Sequence, residues 1–248
     1  MPAPIASPAN PQVKYWQHLS RSSARRASGT FMVEGRRCID GFLQHGWHPR
    51  ALLCRMDCEL PALWPEEMLY RVSDAVCRRI SSVQSPSGYL AEFSIPQAQP
   101  VIPHKRGLLL VGVSDPGNVG TLLRSAAAFA WGQVVIVGGA DPWSPKVVAS
   151  SAGAMAGLQV HRCAEDTLPQ DIAPDLRLCC LVARDGLAPE DVPRSEYWLV
   201  VGSEAHGLPD VWLQAANTRL TLPMASQVES LNAAIAGSIA CWELSRRG

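Results

Sequence analysis

The second half of the chain repeats one pattern, in which a short apolar run is followed by a segment of helical character. The runs lie at residues 108–113, 134–137, 176–182, 198–201 and 219–222. Short, continuously apolar strands that alternate with helices form parallel sheets with both faces covered. The pattern therefore predicts an α/β domain with a parallel sheet, a class in which ligands bind at the carboxyl ends of the strands.

A proline-rich segment divides the chain into two parts. Residues 95–106 contain three prolines and few large apolar residues, a composition typical of a linker. A chain of 248 residues is long enough for two ordinary domains. Ahead of the linker, apolar runs at 31–33, 51–53 and 89–93 alternate with helical stretches near 38–45 and 73–81, which predicts a small α/β unit. We therefore predict one domain over 1–95, a linker over 96–106 and a second domain over 107–248.

Composition excludes several classes of protein. Apolar residues make up 47% of the chain and charged residues 18%, so the chain can bury a core and is not extensively disordered. Its start lacks the basic-then-apolar pattern of a signal peptide, and its apolar runs are too short to cross a bilayer. The eight cysteines have irregular spacings that suit reduced thiols. We therefore expect a cytoplasmic protein with no membrane partner.

A metal site near the cysteines is an alternative use of those residues. Cys54 and Cys58, with His45 and His48 upstream, are candidate ligands. Structural zinc sites of this kind normally require a second cysteine pair, and none completes the set here. We therefore predict that the protein binds no metal.

Positive charge is concentrated near the amino terminus, although the formal net charge is zero. Between Asn10 and Arg37 the only acid is Glu34, and the basic residues are Lys14, Arg21, Arg25, Arg26, Arg36 and Arg37. Attraction to phosphate depends on where charge lies, so such a stretch favours a nucleic-acid partner. The alternative is a solvated helical face without a partner.

Three segments of the second domain place polar residues directly after a predicted strand. In the first, residues 114–130, a strand ends at Asp115 and a helix of small residues begins near Asn118, with Arg124 six positions later. Both side chains reach the edge of the sheet only if the start of the helix faces it. The alternative is that Asn118 caps the helix and Arg124 is a surface charge.

The second segment, residues 199–210, runs from an apolar strand into Gly202, Ser203, Glu204 and Gly207. Glycines let a backbone approach a ligand closely, and a carboxylate at a strand end needs a partner. The alternative is a plain strand-to-helix turn in which Glu204 lies near a helix start.

The third segment, residues 220–244, holds a strand, a loop with Pro223 and a long helix entered at Ser230, Leu231 and Asn232. Small residues along this helix allow another backbone to pack closely against it. The alternative is a core helix with Ser230 as its N-cap.

Taken in this order, the three segments resemble the motifs of the SpoU-type methyltransferases of the SPOUT superfamily. They read N-x-G-x-x-x-R from Asn118 to Arg124, G-x-E-x-x-G from Gly202 to Gly207, and P-M followed by S-L-N. The segment SPKVVASSAGA resembles a further part of the family, with Ala149 where an arginine is common. TFMVEGRRCIDGFL and SPSGYLAEF are similar to the amino-terminal RNA-binding domain of rRNA-directed members.

The resemblance implies an enzyme that transfers a methyl group from S-adenosylmethionine to a ribose 2′-hydroxyl of RNA. The amino-terminal domain favours 23S rRNA, and the alternatives are a tRNA 2′-O-methyltransferase and a non-catalytic RNA-binding ribosome-assembly factor. The resemblance further implies a parallel-sheet methyltransferase domain with a C-terminal trefoil knot, preceded by a small α/β RNA-binding domain. It also implies a homodimer with its sites near the subunit interface. A dinucleotide-binding enzyme is disfavoured because no G-x-G-x-x-G follows the first strand. Since the partner implied by the resemblance is RNA, we expect no DNA partner.

The resemblance also assigns roles to residues. Arg124 lies nearest the chemistry, either as a base or as a phosphate clamp that stabilises developing charge. Glu204 orients Arg124 or the motif loops. Asn118 and Asn232 fix loop and ribose positions, and Ser230 forms a hydrogen bond at the substrate edge. The implied cofactor-binding residues are Gly202, Leu222, Met224, Leu231, Ser150 and Val182. The implied RNA phosphate contacts are Lys14, Arg25, Arg26, Arg36 and Arg37.

Overall fold

The computed structural model describes residues 3–62, 64–173, 175–195, 197–225, 227 and 229–246. In chain order the elements are α1 (Pro11–His18), α2 (Ser22–Ser28), β1 (Thr30–Glu34), α3 (Arg36–Gln44), β2 (Pro49–Arg55), β3 (Leu69–Val72), α4 (Asp74–Ile80), β4 (Tyr89–Ser94), β5 (Gly107–Val111), α5 (Pro116–Ala128), β6 (Gln133–Val137), α6 (Pro145–Ser150), β7 (Gln159–Cys163), α7 (Pro169–Ile172), β8 (Leu178–Leu181), β9 (Trp198–Val201), α8 (Asp210–Gln214), β10 (Thr218–Leu220) and α9 (Ala233–Ser245). The chain divides into two compact units, Met1–Gln97 with Trp143–Ala156, and Ala98–Pro142 with Gly157–Gly248. Within the described ranges, no helix combines the length and the apolar character that crossing a membrane requires.

The first unit is built on a four-stranded mixed sheet in the order β1-β4-β2-β3. Strand β4 runs antiparallel to β1 and β2, and β2 pairs in parallel with β3. Helices α1 and α4 cover one face and bury an apolar cluster that includes Trp16, Leu53 and Val76. The three apolar runs predicted for this part lie in β1, β2 and β4. Sequence reasoning did not identify β3, α1 or α2.

The opposite face of this sheet carries an aromatic cluster with Phe31 of β1 at its centre. The ring of Trp143 lies 4.9 Å from that of Phe31, centroid to centroid. Trp47 Nε1 donates a hydrogen bond to the Ala156 carbonyl oxygen at 2.9 Å. The segment Trp143–Ala156 therefore packs within the first unit, although the sequence placed it in the second domain.

A buried carboxylate fastens α1 to the sheet. Glu92 of β4 is only 4% exposed. It accepts hydrogen bonds from the Tyr15 hydroxyl at 2.7 Å and from Trp16 Nε1 at 2.9 Å. A buried carboxylate is tolerated only when it is well paired, so these bonds fix the position of α1.

The second unit is built on six parallel strands in the order β10-β8-β9-β5-β6-β7. All residues of β5, β6 and β9 are buried, which explains their continuous apolar sequences. The five predicted strands are present, and the parallel α/β architecture is confirmed. Strand β7 was not predicted, because this edge strand reads QVHRC and lacks an apolar run.

Small residues let α5 and α9 pack in direct contact. A Cβ atom added at Gly237 would lie 2.5 Å from Leu122 Cδ2, so a larger residue would require the buried Leu122 side chain or the helix to shift. The hydroxyl oxygens of Ser125 and Ser238 lie 2.7 Å apart across the same contact. The small residues of α9 therefore serve the close approach that the sequence predicted.

Candidate functional site

The three motif segments meet through a chain of side-chain hydrogen bonds in the second unit. Asn118 Nδ2 donates to Glu204 Oε1 at 2.7 Å. Asn232 Nδ2 donates to Asn118 Oδ1 at 3.2 Å. These residues are 86 and 114 positions apart in the sequence, so only the fold brings them together. Asn118 uses its amide nitrogen on one partner and its carbonyl oxygen on the other, which fixes its orientation.

Glu204 is held as an ionised acceptor. Partial burial alone would raise the pKa of its carboxyl, but hydrogen bonds from the Asn118 side chain and from backbone amides outweigh that effect and lower the pKa below its usual value. One of those amides belongs to Ser114, whose nitrogen lies 3.5 Å from Glu204 Oε2. The carboxylate therefore carries a negative charge near neutral pH and joins the strand ends of β5 and β9.

The N-caps of α5 and α9 are not Asn118 and Ser230, the residues that the sequence offered as alternatives. The N-cap of α5 is Asp115, whose Oδ1 accepts a hydrogen bond from the backbone N–H of Asn118 at 2.9 Å. The N-cap of α9 is Asn232, whose Oδ1 accepts from the amides of Ala234 and Ile235 at 2.9 and 3.2 Å. Ser230 is therefore not the cap of α9. The cap also orients the Asn232 amide group toward Asn118.

A glycine allows the chain to turn sharply at the end of β9. Ser203 and Gly207 exchange two backbone hydrogen bonds of 3.0 Å, which close a short turn over residues 203–207. A Cβ atom at Gly202 would overlap the backbone of Gly207 and Leu208. Glycine at position 202 therefore permits the turn that presents Glu204.

A cavity of about 380 Å³ lies beside this hydrogen-bonded chain. It is lined by the ends of β8 and β9, by the residues that follow β8, β9 and β10, and by the start of α9. Five predicted cofactor-binding residues line it: Val182, Gly202, Leu222, Met224 and Leu231. Ser230 and Asn232 also lie on its wall.

Ser150 does not line the cavity; it lies on α6, in the first unit, next to the exposed Ala149. Sequence reasoning also missed Ala183, Ala233 and Ala236, which do line the cavity. Only their positions could have indicated a role in the cavity, since Ala183 follows the end of β8 and the other two lie in the first turns of α9.

Arg124 lies on α5 and is exposed. Its guanidinium has no hydrogen bond or ion pair within the described part of the chain, and it does not line the cavity. The side-chain partner of Glu204 is Asn118. Of the two roles predicted for Glu204, the structure shows contact with the motif segments, through Asn118 and Ser114, and its carboxylate is not bonded to the Arg124 guanidinium.

The predicted RNA-contacting residues of the first unit fall into two groups. Arg25 is 2% exposed, and its Nη1 donates to the carbonyl oxygens of Leu19 and Ser20 at 2.8 and 2.9 Å. Its assignment to phosphate binding was wrong, because the charge is buried in a structural role. The other four predicted residues are exposed: Lys14, Arg26, Arg36 and Arg37. The Arg36 Nε atom lies 3.7 Å from Asp40 Oδ2, an ion pair within α3.

The cysteines are the first candidate metal ligands of the chain. All eight cysteines are free thiols. Among the residues that the structure describes, no group of three or more His, Cys, Asp or Glu side chains is arranged to hold a metal ion.

Comparison with known protein families gives one match in each half of the chain. The model of the "SpoU rRNA Methylase family" matches residues 105–242. The model of the "MRM3-like substrate binding domain" matches residues 10–91. The motif residues at the cavity therefore fall within the methylase match, and the basic stretch falls largely within the substrate-binding match.

Individual relatives cover nearly the whole chain. The chain is 27% identical to the 23S rRNA (guanosine(2553)-2′-O)-methyltransferase RlmP of Bacillus subtilis, over 97% of this chain and 98% of the relative. It is 32% identical to an uncharacterized tRNA/rRNA methyltransferase of Synechocystis, over 99% of this chain and 94% of the relative. Among solved structures, the SpoU methyltransferase AviRb from Streptomyces viridochromogenes in complex with AdoMet matches with a TM-score of 0.85 and 26% identity, over 96% of this chain and 97% of that one. The chain belongs to the SpoU rRNA methylase family.

Proposed function

We propose that this protein transfers the methyl group of S-adenosylmethionine to a ribose 2′-hydroxyl of 23S rRNA. The observation that carries the proposal is the Glu204–Asn118–Asn232 chain beside the 380 Å³ cavity. Similarity to the 23S rRNA 2′-O-methyltransferases of Bacillus subtilis and Streptomyces viridochromogenes supports it. The eight free thiols are consistent with action in the reducing cytoplasm.

The two halves of the chain divide the work in this proposal. Residues 1–95 bind the RNA, residues 96–106 are a linker, and residues 107–248 carry out the methyl transfer. The substrate-binding match over 10–91 supports the first role. Lys14, Arg26, Arg36 and Arg37 supply phosphate contacts that position RNA without reading its sequence.

The cavity suits the cofactor in size and chemistry. Its volume lies within the range of ordinary small-molecule sites, about 300 to 1,000 Å³. Leu222, Met224 and Leu231 form an apolar wall for an adenine ring, and Gly202 and Val182 bring strand-end backbone to the rim. When bound, the cofactor supplies an electrophilic methyl group on sulfur.

The protein's own residues then place the acceptor and manage its charge. Asn118 donates to Glu204 and accepts from Asn232, so the two side-chain amides form a preorganised edge for a ribose. Arg124 serves best as a clamp, because an exposed guanidinium binds phosphate in a fork and stabilises negative charge on the attacking oxygen. The proton of the 2′-hydroxyl would then leave to solvent as the oxygen takes the methyl group. Ser230, on the cavity wall, offers a hydroxyl to the substrate edge.

A homodimer is part of the proposal. Ile235, Ile239 and Trp242 lie on one face of α9 at helical spacing and are 53%, 38% and 42% exposed. Such a stripe of large apolar side chains on a single helix suits burial against a second copy of the chain. The subunit contact would then lie on the helix whose first turn lines the cofactor cavity.

A trefoil knot is also proposed for the carboxyl-terminal part. The chain leaving β10 is tied to the loop after β8, because Thr221 N donates to the Leu187 carbonyl oxygen at 2.9 Å and Gly186 N donates to Thr221 Oγ1 at 2.9 Å. These bonds hold the two segments against each other, as threading of one through the other requires.

The reaction is tested with methyl-labelled S-adenosylmethionine and unmodified transcripts of 23S rRNA and tRNA. We expect label in a 2′-O-methylnucleoside of 23S rRNA with the wild type and little or none with Arg124→Ala. Label in tRNA instead would change the substrate class. Cofactor binding without label on either RNA would refute both assignments of substrate, and absence of cofactor binding would favour a non-catalytic assembly factor.

A further inference from the structure

A second, larger cavity adjoins the cofactor cavity across the 203–207 turn. This groove has a volume of about 970 Å³. It is lined by the carboxyl ends of β5 and β6, by the loop after β7 and by the start of α8. Ser203, Glu204 and Gly207 belong to the walls of both cavities. The groove therefore begins at the same carboxylate that anchors Asn118.

The walls of the groove combine accessible apolar surface with hydrogen-bond acceptors. Leu168 and Val211 are large apolar side chains that remain 36% and 39% exposed. Trp212 is also part of the lining but is itself buried.

Glu165 and Asp166 are exposed carboxylates in the same lining. No lysine or arginine is present among the described residues that line the groove. The imidazole of His206 is the only potential cation among the described lining residues, and it shares the groove with the carboxylates of Glu165, Asp166 and Glu204. A flat, partly apolar ring with N–H groups therefore suits the groove better than a phosphate does.

We propose that this groove receives the nucleobase of the methyl-acceptor nucleotide and selects a base with an exocyclic amino group, guanine above all. The inference rests on the proposed function and adds to it a specificity site. The 203–207 turn borders both cavities, so a base attached to a ribose at the Glu204–Asn118 edge has this groove as a neighbouring site. Enzymes that act on nucleotides commonly hold an extruded base between apolar side chains and read its Watson–Crick edge.

The preference for an amino-bearing base follows from the charge of the acceptors. Ionised carboxylates only accept hydrogen bonds. Guanine presents an imino and an amino N–H side by side, which a carboxylate can accept as a pair, and cytosine and adenine each present one amino group. Uracil presents two carbonyl oxygens flanking its N–H, and these repel a carboxylate. Glu165 and Asp166 are thus the residues that discriminate between bases.

Binding of free nucleosides tests the groove independently of methyl transfer. The variant Glu165→Gln/Asp166→Asn keeps the size of both side chains and removes their charge. Asp175→Asn, which alters an exposed acid of the same unit outside the groove, is the matched control. By equilibrium dialysis we expect the double variant to bind guanosine roughly tenfold more weakly than the wild type, as for loss of one paired base contact. The control should bind guanosine as the wild type does, and equal affinity for guanosine in all three proteins would overturn the proposal.

Methyl transfer then tests whether the groove reads the acceptor base. Once the modified nucleotide is mapped, short RNAs that carry each of the four bases at that position are compared by kcat/KM. We expect the wild type to favour an amino-bearing base by roughly tenfold and the double variant to lose most of that preference. Cofactor affinity should be unchanged, since neither residue lines the cofactor cavity.

The two proposals fail in different ways. An active double variant with an unchanged base preference would overturn the groove assignment and leave the methyl-transfer function standing. A wild type that methylates no RNA but binds guanosine through Glu165 and Asp166 would retain a base-binding groove and overturn the function. Equal loss of activity on all four bases would also count against base selection.

Discussion

The first unit uses its buried charges to hold helices in place, whereas the second unit leaves polar groups accessible at strand ends. Arg25 and Glu92 are 2% and 4% exposed, and their hydrogen bonds run to carbonyl, hydroxyl and indole groups of the same unit. Glu204 borders two cavities, and Arg124 is exposed. Residue type alone did not separate these cases. Solvent exposure did, since Arg25 and Glu92 are buried whereas Glu204 and Arg124 are exposed.

The largest effect on stability is expected when Trp143 is replaced. This substitution tests how far the first unit depends on the segment Trp143–Ala156. Replacing this 6% exposed side chain in Trp143→Ala should lower the free energy of unfolding by about 3 to 5 kcal/mol, because it empties the aromatic cluster around Phe31. Urea unfolding followed by circular dichroism measures this loss. Trp143→Phe is the control and should recover much of the stability. A variant of normal stability would show that the segment is dispensable to this core.

For Arg124 we expect the reverse pattern, a loss of activity without a loss of stability. Arg124→Ala should lower kcat roughly a hundredfold or more, the size typical of removing one group that stabilises developing negative charge. Its free energy of unfolding should change by less than about 0.5 kcal/mol, because the side chain is exposed. Arg194→Ala, another exposed arginine of the same unit, is the matched control and should leave kcat unchanged. Equal effects of the two substitutions would remove Arg124 from the site.

Neighbouring arginines of α2 sharpen the comparison within the first unit. Arg25→Ala should cost about 1 to 3 kcal/mol of stability, since it leaves the Leu19 and Ser20 carbonyls without their buried donor. Arg26→Ala should leave stability nearly unchanged and reduce the salt dependence of RNA affinity by about one phosphate contact. Unfolding curves and filter binding at several salt concentrations separate these effects. A normal salt slope in the Arg26 variant would exclude that residue from the RNA surface.

The sequence predicted the second unit better than the first, for a physical reason. Strands β5 and β9 are buried on both faces, so their apolar runs are visible without any tertiary information. Parallel strands bring their carboxyl ends to one edge, and this is why Asn118, Glu204 and Asn232 could be expected together before any distance was known.

The features that the sequence did not reveal depend on contacts between distant residues. Arg25 looks like its neighbour Arg26 in the sequence, and only the position of the Leu19 carbonyl makes it structural. The segment Trp143–Ala156 joins the first unit through aromatic rings that lie far away in the chain. The groove beyond the 203–207 turn combines four separate loops, and two of them, which follow β6 and β7, carry no recognisable motif.

The smallest effect is expected from the pH dependence of Glu204, which reports on the hydrogen-bonded chain itself. Its pKa is lowered in the folded protein, so it binds fewer protons there than in the unfolded chain. The stability it contributes is therefore fully present above the unfolded pKa and is lost as the pH falls through the folded pKa. The difference in Tm between the wild type and Glu204→Gln should accordingly be largest near neutral pH and shrink as the pH falls below the ordinary glutamate pKa of about 4.3.

Asp175→Asn controls for the simple loss of one negative charge in the same unit. A Tm difference for Glu204→Gln that stays constant with pH would mean that the ionised carboxylate does not support Asn118. The amide would then hold its position through Asn232 alone, and the site would owe its order to the cap of α9 instead of to the end of β9.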